Sequence, residues 1–156
     1  MHHFISVACF VAALSANAVL ADINGLARVV DGDTLRVRGV KIRLLDTDAP
    51  ERRQTCWKPA GEFRCGLRST AVLKAIIGGQ EVRCVGMGSD RYRRVLAVCY
   101  VRGLDIGGEL VRRDWALAYR RYGLTYVQQE NEARAAKRGL WGSRFTPPWQ
   151  WRKLMR

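Results

Sequence analysis

The chain has 156 residues and a formal net charge of +13, because 27 Lys and Arg residues stand against 14 Asp and Glu residues. This length suits one domain with a single hydrophobic core, and an apolar content of 48% excludes general disorder. The excess of cations favours a polyanionic partner, such as nucleic acid, an anionic membrane or an acidic polysaccharide. A basic surface that serves only solubility would show the same balance.

The first 21 residues are predicted to form an export signal. They contain no acidic residue, Lys or Arg, and the apolar run 4–14 precedes a small-residue cleavage pattern at Val19, Leu20 and Ala21. An uncleaved anchor is the alternative, although the run is short for a membrane span. We expect a mature chain that starts at Asp22, is secreted or periplasmic, and has no stable membrane insertion.

Three short strands are predicted after this leader. Residues 23–30, 34–37 and 40–45 are predicted as strands, with apolar alternation in 34–37, and turns separate them at residues 31–33 and at Gly39. The next segment, residues 46–64, is polar, contains two prolines and predicts a long loop.

The second half of the chain predicts a helix, a hairpin, two further helices and a tail. They cover residues 67–77, 81–101, 106–113, 126–138 and 143–156, and the hairpin pairs residues 81–85 with 95–101. Five strands with a helix between the third and the fourth have the order of an OB-type barrel. We therefore expect an α+β domain over residues 22–142, with a five-stranded barrel, about three helices and a tail packed on it or trailing from it.

Four cysteines remain in the mature chain, and they predict two disulfides. A zinc site is disfavoured because the chain has no C-x-x-C pair and both histidines lie in the leader, whereas free buried thiols stay open as an alternative. The expected pairs are Cys56–Cys65, which brackets the loop, and Cys84–Cys99, which joins the two hairpin arms. The second pairing would place Ser89 opposite Arg94.

Three polar segments carry the candidate chemistry: Asp31-Gly32-Asp33-Thr34, residues 43–51, and Asp90-Arg91-Tyr92-Arg93-Arg94. Taken singly, each is commonly a turn or a solvated hairpin tip. Together they offer carboxylates for a hard cation, a further carboxylate that could polarise water, and arginines that could hold a phosphate. Arg43 stands between apolar neighbours and needs a partner or a ligand if it faces inward.

In this order and spacing, the three segments resemble those of the staphylococcal nuclease family over residues 27–141. Later matches include Ala118-Tyr119 and Gly139-Leu140-Trp141. The resemblance implies an OB-type barrel and a Ca²⁺-dependent, sugar-nonspecific nuclease. Such an enzyme cuts DNA and RNA to leave 3′-phosphate ends, and we expect it to act as a monomer.

The resemblance also implies a role for each site residue. Asp33 and Asp48 would bind Ca²⁺ with the backbone carbonyl of Ala49, and Asp31 would lie just outside these ligands. The remaining residues would act on water or substrate: Glu51 as the base for the attacking water, Arg43 and Arg94 on the scissile phosphate, Tyr92 on the terminal phosphate, and Tyr119 and Tyr122 against a base. Arg91 is a further candidate for binding substrate.

Two residues depart from the family pattern, because Ala49 stands where Thr is usual and Arg93 where Gly is usual. Ala49 is harmless if only its carbonyl binds metal, whereas Arg93 adds bulk and charge at the hairpin tip. A non-catalytic OB module that binds single strands is the alternative function. A cationic protein acting on anionic surfaces lacks support, because no strongly amphipathic segment is present.

Overall fold

A computed structural model describes residues 22–155, so the predicted leader and its cleavage site lie outside the described residues. The strands within this range are β1 Ile23–Val29, β2 Thr34–Val37, β3 Val40–Leu44, β4 Thr47–Asp48, β5 Cys56–Lys58, β6 Gly61–Phe63, β7 Glu81–Ser89, β8 Val95–Val101, β9 Leu104–Asp105 and β10 Leu117–Ala118. The helices are α1 Cys65–Ile77, α2 Ile106–Arg112, α3 Val127–Ala135 and α4 Pro148–Leu154.

Five strands close into the expected barrel. β1 pairs with β2 and β7, β2 pairs with β3, and β7 pairs with β8, all antiparallel. A parallel pairing of β3 with β8 closes the ring. Leu35, Val37 and Ile42 alternate toward its interior, where they are fully buried with residues of α1 and α2. The α+β class and the OB-type barrel are therefore confirmed, with four helices in the described part of the chain instead of about three.

Both predicted disulfides are present, Cys56–Cys65 with an S–S distance of 2.08 Å and Cys84–Cys99 with one of 2.02 Å. Cys84 lies opposite Cys99 in the β7–β8 pair. The predicted register beyond this pair was wrong by one residue, because Ser89 faces Val95 and not Arg94. A bulge between Gly86 and Gly88 inserts one extra residue into β7 and shifts the pairing.

The segment predicted as a loop, residues 46–64, is partly regular. β4 pairs with β10, and β5 pairs with β6 in a small hairpin that Cys56 ties to the start of α1. These strands have two or three residues each, which is too short for an alternating pattern to reveal them. α1 begins at Cys65, two residues before its predicted start, and ends as expected at Gly78 with φ 60°.

The C-terminal part of the chain differs most from the prediction. α3 is shorter than the predicted 126–138, because the chain turns after Ala135 through Lys137 and Gly139, both at positive φ. The tail contains α4, which was not predicted; Pro148 occupies its first helical position, where a missing N–H costs nothing. None of the helices in residues 22–155 is long and apolar enough to cross a bilayer.

Candidate functional site

A cleft of about 870 Å³ opens on one side of the barrel, where the β1–β2 turn, β3, the loop after β4, the β7–β8 tip and α4 meet. Ten of the predicted site residues line it: Asp31, Asp33, Arg43, Ala49, Glu51, Arg91, Tyr92, Arg94, Tyr119 and Tyr122. Seven Lys and Arg side chains face the cleft against four Asp and Glu side chains, so the cleft is cationic and suited to a polyanion.

The floor of the cleft is a buried ion-pair network centred on Arg43. Arg43 Nη1 donates to Asp33 Oδ1 at 2.9 Å, and Arg43 Nη2 donates to Asp48 Oδ1 at 3.0 Å and to the Thr47 carbonyl at 3.2 Å. The second oxygen of Asp33 accepts the backbone N–H of Ala49 at 3.1 Å. Arg43 therefore faces inward, and Asp33 and Asp48 are the partners that its apolar sequence neighbours led us to expect.

Asp48, the predicted metal ligand, does not face the cleft. Its side chain has no exposed surface, because Arg43 lies on one side of it and Arg152 on the other. Arg152, on α4, donates from Nη1 to Asp48 Oδ1 and from Nη2 to Asp48 Oδ2, both at 2.9 Å. Arg152 Nη1 also donates to Glu51 Oε1 at 2.8 Å. The guanidinium of Arg152 thus links Asp48, one of the predicted metal ligands, to Glu51, the predicted base.

The loop that carries Glu51 is fixed by close packing against α1. Gly66 lies so near this loop that a Cβ would collide with the Glu51 carbonyl oxygen, so only glycine fits there. The fully buried Gln54 receives the Glu51 backbone N–H at 3.2 Å and donates to the Thr146 carbonyl at 2.6 Å. The loop is therefore held in place by both α1 and the tail.

Burial and neighbouring charges shift the pKa values of several ionisable groups in the site. Burial and the neighbouring charge of Asp33 raise the pKa of Asp31 to about 6. Burial also raises the pKa of Asp48 above its usual value, although the hydrogen bond from Arg152 acts in the opposite direction. Burial lowers the pKa of Arg43, but the charges of Asp33 and Asp48 outweigh it and raise the pKa overall. A cation near these acids would relieve the repulsion among them.

The β7–β8 tip places Arg94 at the edge of the cleft. Asp90 accepts the backbone N–H groups of Tyr92 and Arg94 at 2.9 and 3.0 Å and receives Arg94 Nε at 2.7 Å. Arg94 Nη1 reaches Thr34 Oγ1 at 3.4 Å, on the turn that carries Asp33. The exposed ring of Tyr92 lies beside both Arg91 and Arg94. Arg93 has φ 60°, the left-handed conformation that explains why Gly is usual at this position.

An aromatic cluster borders the cleft. The rings of Tyr119 and Tyr122 meet edge to face with centroids 5.1 Å apart, and Trp149 of α4 lies 6.0 Å from Tyr119. All three line the cleft, and Tyr122 is about half exposed. Such rings offer faces on which an unpaired base could stack.

The donor chemistry of the site fits a hard cation such as Ca²⁺. Asp33 and Asp48 supply buried carboxylate oxygens, and both bind the same guanidinium, so one cationic group already bridges them. Within residues 22–155 no group of three or more His, Cys, Asp or Glu side chains converges on one point. Backbone oxygens, such as the carbonyl predicted for Ala49, and water would have to complete the coordination.

Sequence reasoning missed the contribution of α4. Arg152 and Trp149 stand beyond the matched motifs, and Arg152 meets Asp48 across 104 residues of chain. The available signal was local: Pro147-Pro148 followed by Trp, Trp and two cations is a helix start with an amphipathic mixture. No local pattern indicates which surface such a helix covers.

Comparison with known proteins identifies the family of this chain. The family model described as "Staphylococcal nuclease homologue" matches residues 41–143. An Escherichia coli protein named "Uncharacterized endonuclease" is 35% identical over 161 residues, covering 97% of this chain and 98% of that protein. A "Micrococcal nuclease" of Shigella flexneri is 32% identical, with 95% and 91% covered. The chain belongs to the staphylococcal nuclease family.

Proposed function

We propose that this chain is an exported, Ca²⁺-dependent nuclease that hydrolyses the phosphodiester bonds of DNA and RNA and leaves 3′-phosphate ends. Its family makes it a nuclease, and hence a phosphodiester hydrolase. The observation that carries the proposal is the convergence of Asp33, Arg43 and Asp48 in one buried network directly beside Glu51.

The cation is held, in this proposal, by Asp33, Asp48 and the carbonyl of Ala49, with Asp31 close to them. When bound, it would offset the negative charge of the phosphodiester and so make attack by water easier. Arg43 lines the cleft, and to bind phosphoryl oxygens its planar guanidinium would exchange part of its contact with Asp33 or Asp48 for the phosphate. Arg94 reaches the same space from the hairpin tip.

Glu51 is proposed to take the proton from the attacking water. Its carboxylate is partly exposed to the cleft, and its backbone is fixed by Gln54 and by contact with Gly66. Arginine is a poor candidate for the acid that protonates the leaving oxygen, because its pKa lies above about 12. Water in the open cleft can serve that step.

Substrate outside the reacting bond is proposed to bind two further groups of residues. Tyr92 and Arg91 at the hairpin tip face a neighbouring phosphate, and Tyr119 and Tyr122 offer ring faces to a base. The chain would act as a monomer on single strands that pass through the cationic cleft.

Digestion of single-stranded and double-stranded DNA and of RNA, with Ca²⁺ and with a chelator, tests the activity. Cleavage that needs Ca²⁺ and yields ends from which a phosphatase releases phosphate supports the proposal. A non-catalytic module that binds single strands is the competing function. The ion pairs that engage both Asp48 and Glu51 favour it. Binding without cleavage at any Ca²⁺ concentration would establish that alternative.

Export is proposed from the leader together with the cysteine chemistry. Two disulfides are typical of proteins from oxidising compartments, which indicates a location outside the cytoplasm. We expect mass spectrometry of the mature protein to find its N-terminus at or near Asp22. Recovery of the intact N-terminus from the cell envelope would contradict cleavage.

A further inference from the structure

The guanidinium of Arg152 holds the carboxylate that the proposed cation would need as a ligand. It engages both oxygens of Asp48 and one oxygen of Glu51, and it leaves Asp48 without exposed surface. Burial lowers the pKa of Arg152, but its hydrogen bonds with Asp48 outweigh this effect and keep the group fully charged. A metal ligand with both oxygens so engaged can coordinate a cation only if this contact opens.

α4 is anchored, so Arg152 would remain in the cleft after such an opening. Pro148 is buried, Trp149 packs beside Tyr119, and Gln54 binds the carbonyl of Thr146 just before the helix. The movement available to Arg152 is therefore that of its own side chain. This side chain is 31% exposed and lines the cleft with Arg43 and Arg94.

We propose that Arg152 is a third phosphate-binding arginine of the substrate complex, which the free protein stores on Asp48 and Glu51 until a cation at Asp48 displaces it. The cation takes over the neutralisation of Asp48, and the retained charge of Arg152 becomes available to the negatively charged substrate. The released guanidinium can then donate paired hydrogen bonds to the oxygens of the bound phosphodiester. Release of Arg152 also frees Glu51 to accept a proton. This inference rests on the proposed Ca²⁺ site.

The test compares Ca²⁺ binding and nucleic-acid binding in the full mature chain. Isothermal titration measures Ca²⁺ affinity without nucleic acid for the wild type, Arg152→Gln and Arg152→Lys. We expect Arg152→Gln to bind Ca²⁺ at least about fivefold more tightly, since its competitor is gone. Arg152→Lys should fall between the two. Lys74→Gln is the control, because Lys74 lies on α1, outside the cleft, and its loss should leave Ca²⁺ affinity unchanged.

The second measurement uses a phosphorothioate single-stranded oligonucleotide, which resists hydrolysis. With Ca²⁺, Arg152→Gln should reduce the slope of log K against log salt by about 0.7, the contribution of one phosphate contact. Without Ca²⁺ the slope should not change, because Arg152 is then engaged with Asp48 and Glu51. The proposal thus predicts two opposite effects in Arg152→Gln: higher Ca²⁺ affinity, and a smaller salt slope of oligonucleotide binding only when Ca²⁺ is present. An arginine with a purely structural role would not produce both.

Each other outcome overturns a defined part of this inference. Unchanged or weaker Ca²⁺ binding in Arg152→Gln means that Arg152 does not compete with the cation. An unchanged salt slope with Ca²⁺ means that it does not bind phosphate. If the wild type binds no Ca²⁺, or Asp48→Asn binds it as well as the wild type, the proposed metal site itself fails.

Discussion

At the scale of single residues, Glu51 is the side chain on which the proposed chemistry depends most directly. Its carboxylate is partly exposed to the cleft, and its backbone is fixed by Gln54 and by contact with Gly66. Asp33 and Asp48 are more deeply buried and accept hydrogen bonds from arginine. Burial thus separates a partly exposed acid, which Arg152 pairs in the free protein, from two buried acids suited to hold a cation.

Glu51→Gln should lower turnover at saturating Ca²⁺ and substrate by about 10²–10⁴, because the amide keeps the shape but cannot accept the proton. Steady-state cleavage of a fluorogenic oligonucleotide measures the effect. Glu109→Gln is the control, since Glu109 is also paired with arginines but lies on α2, outside the cleft. Near-normal turnover of folded Glu51→Gln would remove Glu51 from the mechanism.

At the scale of elements, the β7–β8 tip carries a strained residue. Arg93 adopts φ 60°, which costs a residue with a Cβ about 1 kcal/mol or more, whereas glycine adopts it freely. Arg93→Gly should raise the free energy of unfolding by about 0.5–1 kcal/mol, measured by urea denaturation. Arg91→Gly removes the same charge from a tip residue without positive φ, and it should not stabilise. Equal effects of the two changes would point to charge and not to backbone strain.

The elements also show what local sequence patterns can predict. β2 and β3 followed from alternation because they face a barrel core on one side, and α1 followed from its apolar stripe and its terminal Gly78. β4 and β10 are two residues long and exist only because they pair with each other across the fold. Arg152 could not be placed, because its partners are set by tertiary packing and not by its neighbours in sequence.

At the scale of the whole molecule, a buried acid outside the cleft ties stability to pH. Asp114 is fully buried, and one of its oxygens accepts the backbone N–H of Trp141 while the other has no partner in the described part of the chain. Burial, with a contribution from the charge of Glu130, raises its pKa from 3.8 to about 8. Between these values the folded state binds more protons than the unfolded state, so stability falls as pH rises.

Asp114→Asn should flatten this dependence. Urea denaturation at pH 5 and pH 8 should show the wild type losing at least about 1 kcal/mol more than the variant over that interval, since one pKa unit corresponds to about 1.4 kcal/mol. Asparagine also tolerates the left-handed backbone of this position, where φ is 58°. Parallel pH profiles for the two proteins would show that Asp114 does not titrate in this range.

The two disulfides should differ in what their loss does. Cys56–Cys65 closes a short loop that starts just after Glu51, and Cys84–Cys99 crosses two barrel strands. Each should contribute about 3 kcal/mol to stability. The Cys56→Ser/Cys65→Ser variant should also lose turnover under conditions in which it stays folded. Cys84→Ser/Cys99→Ser should keep its turnover until it unfolds. Equal turnover of both folded variants would contradict this distinction.

The position of Cys56–Cys65 has a consequence for the cell that makes the protein. A newly synthesised chain in a reducing cytosol keeps both thiols free, and the segment bearing Glu51 is then held against α1 without a covalent link, by packing at Gly66 and by the hydrogen bonds of Gln54. Full nuclease activity would develop only after the Cys56–Cys65 disulfide has formed. If the chain is exported as proposed, its activity would therefore be lowest inside the cell that makes it, where it could reach that cell's own DNA and RNA.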